Sequence, residues 1–320
     1  MKFSLRRLYE RVVSLLRRHL PSRRAPAPPV TLVPERWTEE QVTLEGRRID
    51  YRLYVPPLVS GAIAPRALVL MLHGCQQDPL DFALGTGMNN LARTCNVVVV
   101  YPAQKKASNT HGCWNWFKTQ HQQRDRGEPA MLAGLVRAVV QAHGVDPARV
   151  YVAGLSAGGS MAAILADCHA DLFAAAGVHS GLPRGAAGDA MSALAAMRHG
   201  VRPAVGRVGG RPTIVFQGDA DDVVHPSNGV AVVEAARGLD LMGGAGARRL
   251  QGVSPRGRRY TRTCHPATAA AGPVEHWELH GIGHAWSGGD ARGSYTEPAG
   301  VSASAEMLRF FLDNPRRPGD

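Results

Sequence analysis

The 320-residue chain has no run of eighteen or more apolar residues, which excludes a transmembrane helix. It has no internal repeat, so a solenoid or a propeller is excluded as well. It has no C-x-x-C spacing, and His73, His111 and His121 are too scattered to complete a ligand set, so no metal site is expected. No cofactor is expected either. Aromatic residues are scarce at 6%, with five tryptophans, so each one near a chemical motif carries weight. Acidic residues are nearly missing from one segment: residues 1 to 24 hold Lys2 and arginines 6, 7, 11, 17, 18, 23 and 24 against Glu10 alone, +7 of the chain's +11.

In that basic leader Leu5, Leu8, Tyr9, Val12, Val13, Leu16 and Leu20 recur at helical spacing, and the arginines take the opposite side. The pattern predicts a basic amphipathic helix, followed by an extended proline-rich linker that ends at Pro29. Such a helix suits an anionic membrane or a lipid-coated polymer granule, bound through residues 1–20. Arg17 and Arg18 interrupt any signal-peptide core, and no recognition motif supports nucleic-acid binding.

Residues 30–320 read as one domain. The chain as a whole is 44% hydrophobic, enough to build a single large core. Strand-like and helix-like runs alternate from residue 67: Val97 to Tyr101, Met131 to His143, Val150 to Ala153, Asp171 to His179, Thr213 to Phe216, Val230 to Arg237, Val274 to Leu279 and Ala303 to Leu312. The alternation predicts a mostly parallel, doubly wound α/β sheet. Gln41 to Pro56, with Glu45-Gly46 in the middle, predicts an antiparallel hairpin at the sheet edge. Pro183 to Arg211, with a short helix at Ala190 to Arg198, reads as a small cap, and Gly243 to Arg259 as a mobile surface segment.

The chemistry centres on Gly154-Leu155-Ser156-Ala157-Gly158, placed between the apolar run 149–153 and a small-residue helical stretch. This is the setting of a nucleophile elbow, a tight strand-to-helix turn that exposes its serine. Gly154 and Gly158, with the small Ala157, are expected to allow the close backbone packing and the positive φ that such a turn imposes on its centre. A serine nucleophile needs a base, and the base needs an orienting acid. The 213–216 strand delivers Asp219, Asp221 and Asp222, of which Asp221 is favoured because Val223 and Val224 can pack beneath its loop. The 274–279 strand carries His276 and ends at His280, whereas His284 stands in the loop after Gly281 and Gly283 and is the expected base. The oxyanion donors expected are the N–H of Ala157 and that of Cys75, with Gln76 the near alternative, in the loop after strand 67–72.

With these residues in place the chain resembles the polyhydroxybutyrate depolymerase-like esterases, relatives of feruloyl and acetylxylan esterases in the α/β-hydrolase superfamily. The likeness spans roughly residues 40 to 313. It rests on His73 to Gln77, Cys113-Trp114-Asn115-Trp116-Phe117, Gly154 to Gly158, Val178 to Pro183, Gly218 to Val224 and Gly283 to Gly289. It implies serine-dependent hydrolysis of short hydroxyalkanoate or similar esters, with Ser156, Asp221 and His284 at the triad positions. Phenolic or acetyl esters are the alternative substrates; a surface-binding protein without catalysis is an alternative of another class.

Two departures from the family are Gln217-Gly218, where His-Gly is common, and His225, where asparagine is usual; neither is expected to touch the triad. The extracellular depolymerases that the chain resembles carry a linker and a polymer-binding domain after the catalytic domain; none is expected after the last helix here, so attack on crystalline polymer is not expected. The resemblance places Cys75 and Cys113 near the site, where a disulfide would suit a periplasmic or extracellular protein; the lack of a clear signal peptide points to a cytoplasmic or granule-associated one. Cys95 and Cys168 are expected to be buried thiols. Trp114, Trp116 and Trp286 are candidate substrate-stacking residues, at least one of them expected to line the pocket.

Overall fold

The computed structural model describes residues 32–44, 46–59, 65–201, 210–238 and 246–317; the basic leader and its linker lie outside them. The core is a ten-stranded sheet. Its strands are β1 (Arg36–Leu44), β2 (Arg47–Val55), β3 (Ala67–Leu72), β4 (Val97–Pro102), β5 (Val150–Leu155), β6 (Ala175–His179), β7 (Thr213–Gly218), β8 (Arg248–Val253), β9 (Arg259–His265) and β10 (Val274–Leu279). The spatial order is β8-β9-β10-β7-β6-β5-β3-β4-β2-β1. The six strands from β10 to β4 are parallel, and each end of that array carries an antiparallel pair.

The continuous apolar runs reflect a sheet covered on both faces. Every residue of β3, β4 and β5 is buried. Leu68, Leu70 and Leu72 pack with Leu132 and Leu135 of α3 (Gly127–His143) and Met161 and Leu165 of α4 (Ala157–Cys168). Ala67, Val69 and Met71 face the other way. They meet Phe82 of α1 (Pro79–Thr86), Met88 and Ala92 of α2 (Met88–Cys95), and Met307 and Phe311 of α7 (Ala303–Asp313). Local signals fix the helix ends. Asp78 caps α1 by accepting the N–H groups of Leu80 and Asp81, with Pro79 in the first turn. Asp189 and Ser192 close a capping box on α5 (Ala190–His199), which packs on α6 (Ser227–Arg237).

The parallel doubly wound centre and the N-terminal hairpin agree with the sequence reading, although β1 starts five residues before Gln41. The segment 243–259 differs. Within it β8 forms an edge strand on β9, with all but one residue exposed. A strand solvated on both faces has no apolar period to read, so it passes for loop. Cys168 is buried as expected, whereas Cys95, at the end of α2, is exposed.

The chain leaves β3 towards β4 on one side and returns to β5 on the other. The loops after β3 and β5 therefore leave the sheet at a switch point at the carboxyl ends of the strands, where such sheets bind ligands.

Three buried histidines make this core sensitive to acid. Burial, and the nearby His284, push His179 down to about 3; burial pushes His276 to about 4 and His73 below its ordinary value. Unfolded imidazoles titrate near 6.5. As the pH falls below about 6.5, the unfolded chain takes up protons that the folded chain refuses, so stability is full above that value and declines towards pH 4. Thermal unfolding at pH 7.5 and pH 5 should show a lower Tm at pH 5; an equal or higher Tm at pH 5 would contradict the neutral assignment.

Candidate active site

Ser156 stands at the turn from β5 into α4 with φ 58° and ψ −120°, a conformation costly for a residue with a Cβ. The positive φ falls on the serine at the centre of the turn, as the sequence reading expects. The glycines supply room. A Cβ on Gly158 would lie 2.0 Å from the Leu72 carbonyl oxygen, and one on Gly154 would lie 2.4 Å from the Gly158 carbonyl. The Ser156 N–H donates to the His179 carbonyl at 2.9 Å, and its own carbonyl accepts the Ser160 N–H at 2.9 Å as α4 begins.

Asp221 follows β7 and is buried. Its Oδ1 accepts the N–H groups of Val223 at 3.0 Å and Val224 at 2.8 Å, and its Oδ2 accepts Gln217 Nε2 at 3.1 Å. Nδ1 of His284, in the loop after β10, also meets Oδ2, at 2.9 Å. Burial raises the pKa of this carboxyl, but the bonds from His284, Val224 and Val223 outweigh it and hold Asp221 below the usual carboxylate value. The backbone joins the same two loops: the Asp219 N–H donates to the Leu279 carbonyl and the Ala220 N–H to the Ile282 carbonyl, which continues the β7–β10 ladder past the strand ends. Asp219 is half out in solvent and bonds His280 Nδ1 at 2.9 Å and the Gly281 N–H at 2.7 Å, a clamp at the base of the loops. Asp222 is exposed, and His276 is buried within β10.

His179 connects the serine to the histidine loop. While its carbonyl holds the Ser156 N–H, its Nε2 accepts the Ser287 N–H at 3.1 Å and its Nδ1 meets Ser180 Oγ at 3.1 Å. Its ring stacks between Phe216 at 5.7 Å and Trp286 at 5.2 Å. The sequence placed His179 in a family segment and gave it no task; a histidine ending a buried strand was the available signal.

Around the oxyanion position, the Gln76 N–H donates to the His111 carbonyl at 2.9 Å and is committed. Among the described residues no acceptor takes the N–H of Cys75 or of Ala157. Cys75 is disulfide-bonded to Cys113, with Cα atoms 4.3 Å apart. Buried Glu128 orders the Cys113 loop by accepting from Gln104 Nε2, Asn115 N and Asn115 Nδ2. Glu128 and Gln104 stand outside every motif and were missed.

The tryptophans correct the sequence reading. Trp114, Trp286 and Trp116 are 0%, 1% and 5% exposed. Trp114 Nε1 donates to the His73 carbonyl, and Trp286 Nε1 to Ser304 Oγ. With their rings buried in the core, and the indole N–H of Trp114 and Trp286 bonded there, they brace these loops from below and offer no stacking face. Gln217 corrects a second expectation, since its amide bonds Asp221 directly.

A methyl group at Gly158 must displace the carbonyl end of β3, so Gly158→Ala should destabilise the protein by at least about 3 kcal/mol in denaturant unfolding; a loss under about 1 kcal/mol would mean that the turn can open. Gln217→Ala removes a donor from a charged acceptor and should lower kcat about tenfold with little change in KM; an unchanged kcat would make Gln217 a packing residue only.

Residues 49–254 match the family model described as esterase PHB depolymerase, a match that takes in Cys75, Ser156 and Asp221 and stops before His284. A poly(3-hydroxyalkanoate) depolymerase C of Paucimonas lemoignei is 35% identical over 188 residues, 55% of this chain and 45% of that protein. A poly(3-hydroxybutyrate) depolymerase of Ralstonia pickettii is 33% identical over 170 residues, 48% of this chain and 34% of that protein. The chain thus spans less than half the length of these relatives. The solved acetyl xylan esterase of Aspergillus awamori shares the fold, with a TM-score of 0.65 at 18% identity, over 86% of this chain and 99% of that one. Because the family match covers well over half of the sequence and contains the serine elbow and the acid loop, the chain belongs to the PHB depolymerase esterase family.

Proposed function

We propose that the protein is a serine-dependent carboxylic ester hydrolase whose substrates are poly(3-hydroxybutyrate) or its oligomers. The observation that carries this reading is the buried Asp221–His284 pair, tied through the histidine loop and His179 to a strained serine elbow. Ser156 Oγ attacks the ester carbonyl. His284, through the nitrogen not held by Asp221, takes the serine proton and returns it to the leaving alcohol. Asp221 fixes the tautomer and stabilises the imidazolium. The N–H groups of Cys75 and Ala157 receive the oxyanion, each contributing about 100- to 1,000-fold in rate. Water then hydrolyses the acyl-enzyme by the same path in reverse. The relatives named for depolymerisation of polyhydroxyalkanoates support the substrate class.

The basic leader, residues 1–29, extends the proposal: its leucines and arginines would hold the enzyme on a polyester granule or an anionic membrane.

The test is release of 3-hydroxybutyrate from amorphous polymer beside hydrolysis of a short p-nitrophenyl ester. Ser156→Ala should lose at least about 10,000-fold on both while keeping its fold, and Asp221→Asn a comparable factor. Removal of residues 1–29 should lower polymer hydrolysis more than ester hydrolysis. Full activity in Ser156→Ala would refute the nucleophile; hydrolysis of the short ester with none of the polymer or of 3-hydroxybutyrate oligomers would refute the substrate class.

A further inference from the structure

Tyr295 and Gln76 face each other across the rim of the site. Among the described tryptophan, tyrosine and phenylalanine residues the exposed ones are Trp37, at the sheet edge, and Tyr295, which is 43% exposed. Tyr295 has φ 51° and Gln76 has φ 65°, left-handed backbone that a bulky side chain seldom takes without being held there.

The holding groups are visible. The Trp286 N–H donates to the Tyr295 carbonyl at 2.7 Å. The preceding Ser294 gives its N–H to Asp81 at 2.9 Å and its hydroxyl to the same carboxylate. Gln77 Nε2 donates to the Ser294 carbonyl and hydroxyl, at 3.0 and 3.2 Å, while Gln77 Oε1 accepts the Gly74 N–H at 2.9 Å. The segment carrying Tyr295 is thereby fastened both to the histidine loop and to the oxyanion loop. The Tyr295 hydroxyl completes the bridge by donating to Gln76 Oε1 at 3.1 Å, one residue beyond Cys75.

With Oε1 committed to the tyrosine, the exposed Gln76 amide presents its two Nε2 donors, for which no described residue is an acceptor. An aromatic face beside an amide donor fits a chain in which short aliphatic segments alternate with ester carbonyls. We propose that Tyr295 and Gln76 form a subsite for the hydroxyacyl unit adjoining the scissile ester. The ring packs on that unit's aliphatic part, and Gln76 Nε2 donates to its carbonyl oxygen. This rests on the hydrolase reading above, and it makes the pair a determinant of preference for oligoesters over simple esters.

The experiment compares the 3-hydroxybutyrate trimer methyl ester with p-nitrophenyl acetate, which has no adjoining unit, in wild type, Gln76→Ala, Tyr295→Ala, Tyr295→Phe and Tyr295→Asn. The ratio of the two kcat/KM values should fall at least about fivefold in Gln76→Ala and Tyr295→Ala, through KM for the trimer. Tyr295→Phe, which keeps the ring and loses the bridge, should fall between. Tyr295→Asn suits the left-handed backbone and should follow Tyr295→Ala, which separates loss of the ring from collapse of the loop. A ratio within twofold of wild type in both alanine variants overturns the subsite. Calorimetric binding of the trimer to Ser156→Ala keeps the two readings apart. If wild type turns over neither ester the hydrolase reading fails, while weaker trimer binding on adding Tyr295→Ala upholds the subsite and unchanged binding overturns it.

Discussion

Everything in this site depends on how closely the first turn of α4 approaches the ends of two strands. Gly158 lies against the carbonyls of Leu72 and His73, and Gly154 lies against Gly158. That contact sets the height of the helix above the sheet, places the Ala157 N–H beside the loop that carries Cys75, and forces the serine between them into a backbone well it would not choose. Any side chain at either glycine would separate the Cys75 and Ala157 N–H groups, the proposed oxyanion donors, from Ser156. The strain at Ser156, of the order of 1–3 kcal/mol for such conformers, is carried by a rigid setting: a fully buried strand behind it, a helix in front, and a hydrogen bond to β6 beside it.

Asp221 and His284, the proposed acid and base, are positioned by a different device. The last bonds of the β7–β10 ladder run on into the loops, so the Asp221 and His284 segments leave the sheet as a paired ribbon. Beneath the ribbon, Trp286, His179, Phe216 and Trp277 stack in sequence, and Arg262 covers the far end of the series. Burial keeps the imidazole in this stack neutral, so it accepts one hydrogen bond and donates another without adding a positive charge beside His284. Trp286, which the sequence offers as a contact for a ligand, is one of the supports of this layer.

The legible part of the sequence was what repeats or what is locally constrained. Parallel strands announce themselves as apolar runs, and the elbow as a pentapeptide between a strand and a helix. The choice of Asp221 among three aspartates, and of His284 among three histidines, was open to argument because loop position limits which side chain can turn inward. Hidden were features that depend on partners far along the chain. The charged β8 has meaning only beside β9. Gln217 read as a departure from a family pattern until its amide was seen on Asp221, 3.1 Å away. Tyr295 lies in no motif, and its importance comes from a bond to a residue 219 positions earlier.

The two antiparallel pairs that flank the parallel array also decide how the molecule behaves in company. A sheet that ended on an apolar strand such as β4 would offer an open ladder to any neighbouring chain. Here one boundary is β1, with Arg36, Glu39 and Glu40 along it, and the other is β8, with Arg248 and Arg249. Charge at both margins discourages strand-to-strand docking between copies, so the protein can be crowded to high local density, as on the face of an insoluble particle, without its sheets fusing.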